Sequence, residues 1–196
     1  MTRTGDGGGG DRTPLIEDPP IARALLGDVR WAWVWVVPRV YLGWAWWVAG
    51  WAKWHSAQWT GEHAGGALAR FVTDALTKTG GQHPDVQWWY ARFLADLVLP
   101  HPVFWSYLVS GGEVLVGGAL ILGLFTGVAA FSGSVMNVSY LLAGTVSTNP
   151  ILFAIATSLI LAWKTAGWWG LARWLLPALG TPWRPGYLFR GGTTDA

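Results

Sequence analysis

The sequence contains no cysteine and carries little charge. Without Cys the chain has no disulfide, no thiolate nucleophile and no Cys-bound metal. Any redox chemistry therefore needs a bound cofactor, a directly held substrate or a partner subunit. Charged residues are 12% of the chain against 52% hydrophobic, about half the charged share of soluble domains. The formal charge of +2 comes from scattered cations. They form no stripe of the kind that nucleic-acid phosphates require, so no nucleic acid is expected as a partner. The four histidines, His55, His63, His83 and His101, fall at spacings that match no metal-ligand pattern. They read as solvated loop residues, with no metal site.

What the chain has instead is tryptophan, 17 residues of it, and long apolar runs. Trp gathers at membrane interfaces, where its ring is apolar and its N–H is wet. One run is 31–54, WAWVWVVPRVYLGWAWWVAGWAKW; the other extends from Pro102 to about Trp163. Arg39 interrupts the first, Lys53 stands at its edge, and Glu113 interrupts the second. A helix of about 20 apolar residues crosses the roughly 30 Å hydrocarbon layer. Turn signals at Gly123-Leu124-Phe125-Thr126-Gly127 and Ser147-Thr148-Asn149-Pro150 divide the longer run into three.

The expected fold is all-α and integral to the membrane. It is a four-transmembrane-helix bundle with spans near 31–53, 103–124, 127–146 and 150–164. An extramembrane helical cap, 55–101, separates the first two spans, and an interfacial helix, 167–179, follows the last. Within the cap, Ala64, Leu68, Phe71, Ala75 and Leu76 mark one amphipathic helix. Val86, Trp89, Tyr90, Phe93, Leu97 and Val98 mark another, their apolar faces inward. Residues 1–20 and 181–196 read as tails, the first disordered, around a membrane domain at 21–180. The first apolar run starts too late, and is too long, for a signal peptide. Arg23 and Arg30 precede the first span, and Lys164, Arg173, Arg184 and Arg190 follow the fourth, whereas the cap balances its charges. By the positive-inside rule this is a multi-pass protein of the cell membrane with both termini cytoplasmic and the cap outside.

Helical spacing sorts the spans into faces. Arg39, Gly43, Trp46, Gly50 and Lys53 share one face of the first, and Glu113 and Gly117 one face of the second. Gly133, Asn137, Tyr140 and Gly144 share one face of the third. These small residues are expected inside, where they allow close approach of helices. Trp44, Trp47, Trp51 and Trp54 form a second stripe that reads as packing and interface anchoring. Counted from the expected span ends, Arg39, Glu113 and Asn137 lie about 12–15 Å deep. An ion there costs at least about 2.5 kcal/mol. An Arg39–Glu113 pair, with Asn137 bonded to it, resolves that cost. The trio reads either as a clasp that fixes register or as a polar site for a quinone headgroup, a proton or a small anion.

The stretch Gly112-Glu113 through Gly117-Gly118 and Leu122-Gly123-Leu124-Phe125-Thr126 resembles the DoxX family of small four-helix membrane proteins. So does Arg39, Gly43, Gly50 and Lys53. Gly144-Thr145-Val146-Ser147-Thr148-Asn149-Pro150, followed by Lys164-Thr165-Ala166-Gly167, is similar to the DoxD branch, the membrane subunit of thiosulfate:quinone oxidoreductase. Ala172 stands where an acidic residue is expected after Gly170-Leu171. The resemblance implies quinone-linked chemistry, often with a second redox subunit, and supplies no catalytic residues of its own. On this reading Arg39, Glu113 and Asn137 are the candidate catalytic residues. Trp46, Tyr140 and Lys53 are the candidates for holding quinone, and a small anionic sulfur compound is the electron donor. The competing expectation is a non-catalytic membrane anchor or assembly protein that docks a redox partner through the 55–101 cap. A transporter ranks last, because no pair of interrupted helices repeats between the halves.

Overall fold

A computed structural model describes residues 18–180, and all regular structure among them is helical. Of the expected tails at 1–20 and 181–196, residues 1–17 and 181–196, with Arg184 and Arg190, lie outside the described residues, and Pro20 opens the first helix. The chain begins with α1 (Pro20–Gly27) and a 3-10 segment (Val29–Trp35) that runs into α2 (Val36–Trp54). The cap holds α3 (Gly66–Thr77) and α4 (Trp88–Phe93), the latter continuing as a π-turn over Leu94–Val98. Three longer helices follow, α5 (Pro102–Leu122), α6 (Thr126–Leu142) and α7 (Asn149–Leu161). Two short ones, α8 (Trp163–Ala166) and α9 (Ala172–Leu179), complete the order.

Local sequence explains the boundaries. Pro102 and Pro150 sit in the first turns of α5 and α7, where a missing N–H costs nothing. Gly123 closes α5 with φ 64°, a left-handed cap that Gly adopts without a Cβ clash. The next helix is delayed by Phe125, which also has positive φ.

Glycine sets how closely α2 and α5 pack, and in which register. A Cβ on Gly43 would fall 2.9 Å from the Ile121 backbone nitrogen, and one on Gly50 2.7 Å from the Glu113 Cβ. Rising positions on α2 meet falling positions on α5, so the pair is antiparallel with backbones nearly touching. Gly117 and Gly133 are buried as expected, the latter leaving space for the Trp46 indole. Gly144 is different. The third helix stops at Leu142 rather than near 146, and Gly144 forms a turn with φ 71° beside Lys78 and Asp85 of the cap. Trp44, Trp51 and Trp54 point outward, as do Thr157, Leu161 and Lys164.

The cap builds a core of its own from Leu68, Val72, Ala75, Val86, Tyr90, Leu94 and Val98, closed by Ala143 beyond α6. Trp89 and Leu97, expected inward, are exposed. The π-turn explains the exposure of Leu97. The Leu99 N–H donates to the Leu94 carbonyl, one residue beyond helical spacing. That widening aligns Tyr90, Leu94 and Val98 on the inner row instead. The Tyr90 hydroxyl donates to the Ser139 carbonyl at 2.9 Å, tying cap to α6. Burial raises that phenol's pKa above its ordinary value.

The opposite end gathers both ends of the described chain. Trp35 Nε1 donates to the Leu25 carbonyl at 2.8 Å, and α1 packs on α8. The Leu171 and Ala172 N–H groups donate to the carbonyls of Leu122 and Gly123, which fastens α9 to the end of α5.

Among the described residues one helix, α5, is long and apolar enough by itself to cross a membrane. The expected first span is shared between a 3-10 segment and α2, whose Arg39, Lys53 and five Trp dilute its hydropathy. The third and fourth expected spans are shorter as continuous α-helix, 17 residues in α6 and 13 in α7.

Candidate functional site: a buried ion pair beside an apolar cavity

Glu113 lies on the buried face of α5, 1% exposed, with Ser110 and Gly117 one turn to either side. The Lys53 ammonium, in the last turn of α2, donates to Glu113 Oε1 at 2.7 Å and Oε2 at 2.6 Å. The Tyr140 hydroxyl of α6 donates to Oε1 at 2.7 Å. Three helices therefore converge on one carboxylate. Lys53 also stands 5.2 Å from the centroid of the Trp59 ring and 5.9 Å from that of Tyr140. Both rings present their negative faces to the cation. The carboxylate is sealed, while the Lys53 side chain is 19% exposed.

Arg39 does not pair with Glu113, contrary to the sequence expectation. Fourteen residues separate it from Lys53 on α2, about 21 Å along the axis. The expected depth assumed a span beginning at Trp31, but the α-helix begins at Val36, so Arg39 lies in its first turn. Arg39 is 2% exposed and donates through Nη2 to the Trp169 carbonyl at 2.9 Å. Its guanidinium presses on Gly123 and Gly170, at the far end of the bundle from Glu113.

Asn137 does not bond to an Arg39–Glu113 pair either. It is completely buried, and neither its amide nitrogen nor its oxygen has a hydrogen-bond partner. It lies one turn before Tyr140 on α6. Gly133, one turn earlier again, faces the Trp46 Nε1, also buried and unpartnered. Ser110 Oγ, one turn from Glu113 on α5, is a further buried hydroxyl without a partner. Of the six sequence candidates, the structure brings Glu113, Lys53 and Tyr140 into contact. It places Asn137 and Trp46 along the same inner column and sends Arg39 elsewhere.

Sequence reasoning missed Ser110 and Trp59. Ser110 had a signal, since it stands three residues before Glu113 on one helical face. Trp59 had none, because only the fold of the 55–65 loop returns it over Lys53.

Beside this cluster is an apolar cavity of about 310 Å3 between the cap and the α5–α6 groove. Phe71, Tyr90, Phe93, Val116, Met136 and Tyr140 are among its walls. Tyr140 thus belongs to both places: its ring lines the cavity and its hydroxyl binds Glu113. Asn137 is not on the cavity wall.

The four histidines are exposed, and no group of three metal-ligating side chains occurs among the described residues. An all-helical protein with a sealed, ion-paired carboxylate between glycine-packed helices is the class this geometry defines. The sequence model of the DoxX family matches residues 34–145, from the start of α2 past the end of α6. The chain belongs to the DoxX family, whose members are membrane-associated. No curated protein and no solved structure matches it.

Proposed function

We propose that the chain is a multi-span membrane protein, resembling the DoxD branch, that binds a quinone and takes part in quinone-linked oxidation of a small thiosulfate-like compound. Its four spans are α2, to which the 3-10 segment leads, then α5, α6, and α7 with α8. At helical rise, α7 with α8 reaches about 27 Å and α5 about 32 Å, close to the hydrocarbon thickness. The cap is outside and both termini are cytoplasmic.

The observation that carries the reading is the double position of Tyr140. A flat, apolar ring with polar edges needs an apolar slot ending at a few polar groups. Tyr140 is part of the wall of the cavity beneath the cap, and its hydroxyl is bonded to Glu113, which is paired with Lys53. The unpartnered amide of Asn137 and indole N–H of Trp46 offer further donors and an acceptor to a polar edge that reaches past Tyr140. These residues fit a quinone. When bound, a quinone supplies an acceptor for two electrons and two protons.

On the chain's side, Tyr140 and Glu113 form a hydrogen-bonded line from the cavity wall to Lys53. Lys53 balances the Glu113 charge, and its partial exposure opens that line at its far end. With no Cys on the chain, the sulfur compound reacts directly or on a partner subunit. Arg39 is too far away to serve this site.

The anchor reading has its own support in Trp88, Trp89 and Leu97, which the cap turns outward as a docking surface for a redox partner. Reconstitution of purified chain with a quinone and thiosulfate separates the two. Quinone reduction by this chain alone supports the enzyme and contradicts the anchor. Reduction that appears only with a partner places the sulfur chemistry on that partner. Failure of quinone to bind in either case overturns the proposal.

A further inference from the structure

We propose that the N-terminus of α6 holds the phosphate of an anionic phospholipid whose acyl chain lies in the groove between α6, α7 and α9. This rests on the span reading above and is independent of quinone.

Four observations meet at this end of the bundle. The 17-residue α6 begins at Thr126 with no side-chain cap. Its first-turn N–H groups therefore lack intrahelical partners and carry the positive end of the helix dipole. The Thr126 hydroxyl is buried and unpartnered, and Thr126 lines a groove of about 450 Å3. Beyond Thr126 and Gly127 that groove is apolar, with Val128, Phe131, Ile160 and Leu179 along it. Finally, Arg39 stands behind the Gly123 turn with no carboxylate and with Nε and Nη1 unpartnered. Gly167 lies between Thr126 and the Gly123 turn on which Arg39 presses: a Cβ there would lie 3.0 Å from Thr126 Oγ1 and 3.5 Å from the Gly123 carbonyl oxygen.

Charge favours an anion here. Asp28 is spent on Arg30 at 2.6 Å, while Arg39 and Arg173 lie at this same end. An acyl chain matches the groove and a phosphate matches its head. Thr126 and the first-turn N–H groups contact the phosphate, and the buried Arg39 charge acts on it from behind. A free phosphate shares the head chemistry but leaves the groove unused.

The test uses the full chain extracted from membranes in detergent and stripped of lipid. Its thermal midpoint is followed against dioleoylphosphatidylglycerol, dioleoylglycerol and inorganic phosphate. Phosphatidylglycerol should raise the midpoint saturably, and the other two should not. Thr126→Val should need about tenfold more lipid for the same shift, as loss of one hydrogen bond to a charged group predicts. Val128→Glu, at an exposed site in the first turn, keeps the fold and should abolish the shift by repulsion. Equal shifts from dioleoylglycerol, an equal shift from phosphate alone, or wild-type response in both variants would each overturn the lipid site. A chain that purifies without detergent contradicts the span reading instead.

Discussion

Gly50 of α2 lies flush against Glu113 of α5, so that a methyl group there would come within 2.7 Å of the Glu113 Cβ and of the Val114 backbone nitrogen. The close approach lets the next turn of α2 place Lys53 on the carboxylate. Gly50→Ala should therefore push the helices apart and cost about 1–3 kcal/mol as overpacking. Gly27→Ala, which meets nothing within 4 Å, should stay within about 0.5 kcal/mol. Thermal unfolding in detergent measures both. Equal midpoints for the two variants would contradict the packing.

The pairing of Glu113 with Lys53 makes a specific pattern of double mutants. Breaking a fully buried pair from one side costs about 3–5 kcal/mol, and less here because Lys53 is partly open to water. Glu113→Gln and Lys53→Met should each destabilise the protein, and the double variant should recover part of the loss. Glu113→Gln with Arg39→Met should give simple addition, since distant sites do not couple. Coupling to Arg39 and not to Lys53 would reverse the assignment.

The difference between these two partners shows how far the sequence carries. Apolar runs and helical spacing predict the order of helices, the inward Gly43, Gly50, Gly117 and Gly133, and the burial of Arg39, Glu113 and Asn137. They do not predict how helices slide along one another. Span ends chosen from composition put Arg39 at mid-depth, whereas a 3-10 segment occupies the first turns and moves it to the end. The glycines held the missing register, because Gly117 set against the Trp47 backbone, with Gly43 beside Leu120 and Ile121, puts Gly50 on Glu113. The cap's inner row was obscured by a single π-turn, and Trp59 by the path of a loop. Neither leaves a periodic mark in the sequence.

Asn137 offers a test of whether its amide is used. A buried polar group with no partner costs about 1–3 kcal/mol. Asn137→Leu should therefore leave stability unchanged or raise it in the absence of ligand, while weakening quinone binding. A loss of several kcal/mol without ligand would mean that the amide has a structural partner, and would remove it from the proposed site.

Topology is open to a direct measurement, because the chain has no native Cys to interfere. His63→Cys and His83→Cys, both at exposed cap positions, should react with a membrane-impermeant thiol reagent in intact cells. Labelling that appears only after lysis would turn the bundle over.

The central claim is that a quinone ring ends its apolar slot at Tyr140. Titration of the purified full chain with a short-chain quinone, followed by quenching of tryptophan fluorescence, tests it most directly. Wild type should bind saturably, and Tyr140→Phe, which keeps the cavity wall but loses the hydroxyl, should bind about tenfold more weakly. Binding that is non-saturable in the wild type, or unchanged in Tyr140→Phe, would contradict the account.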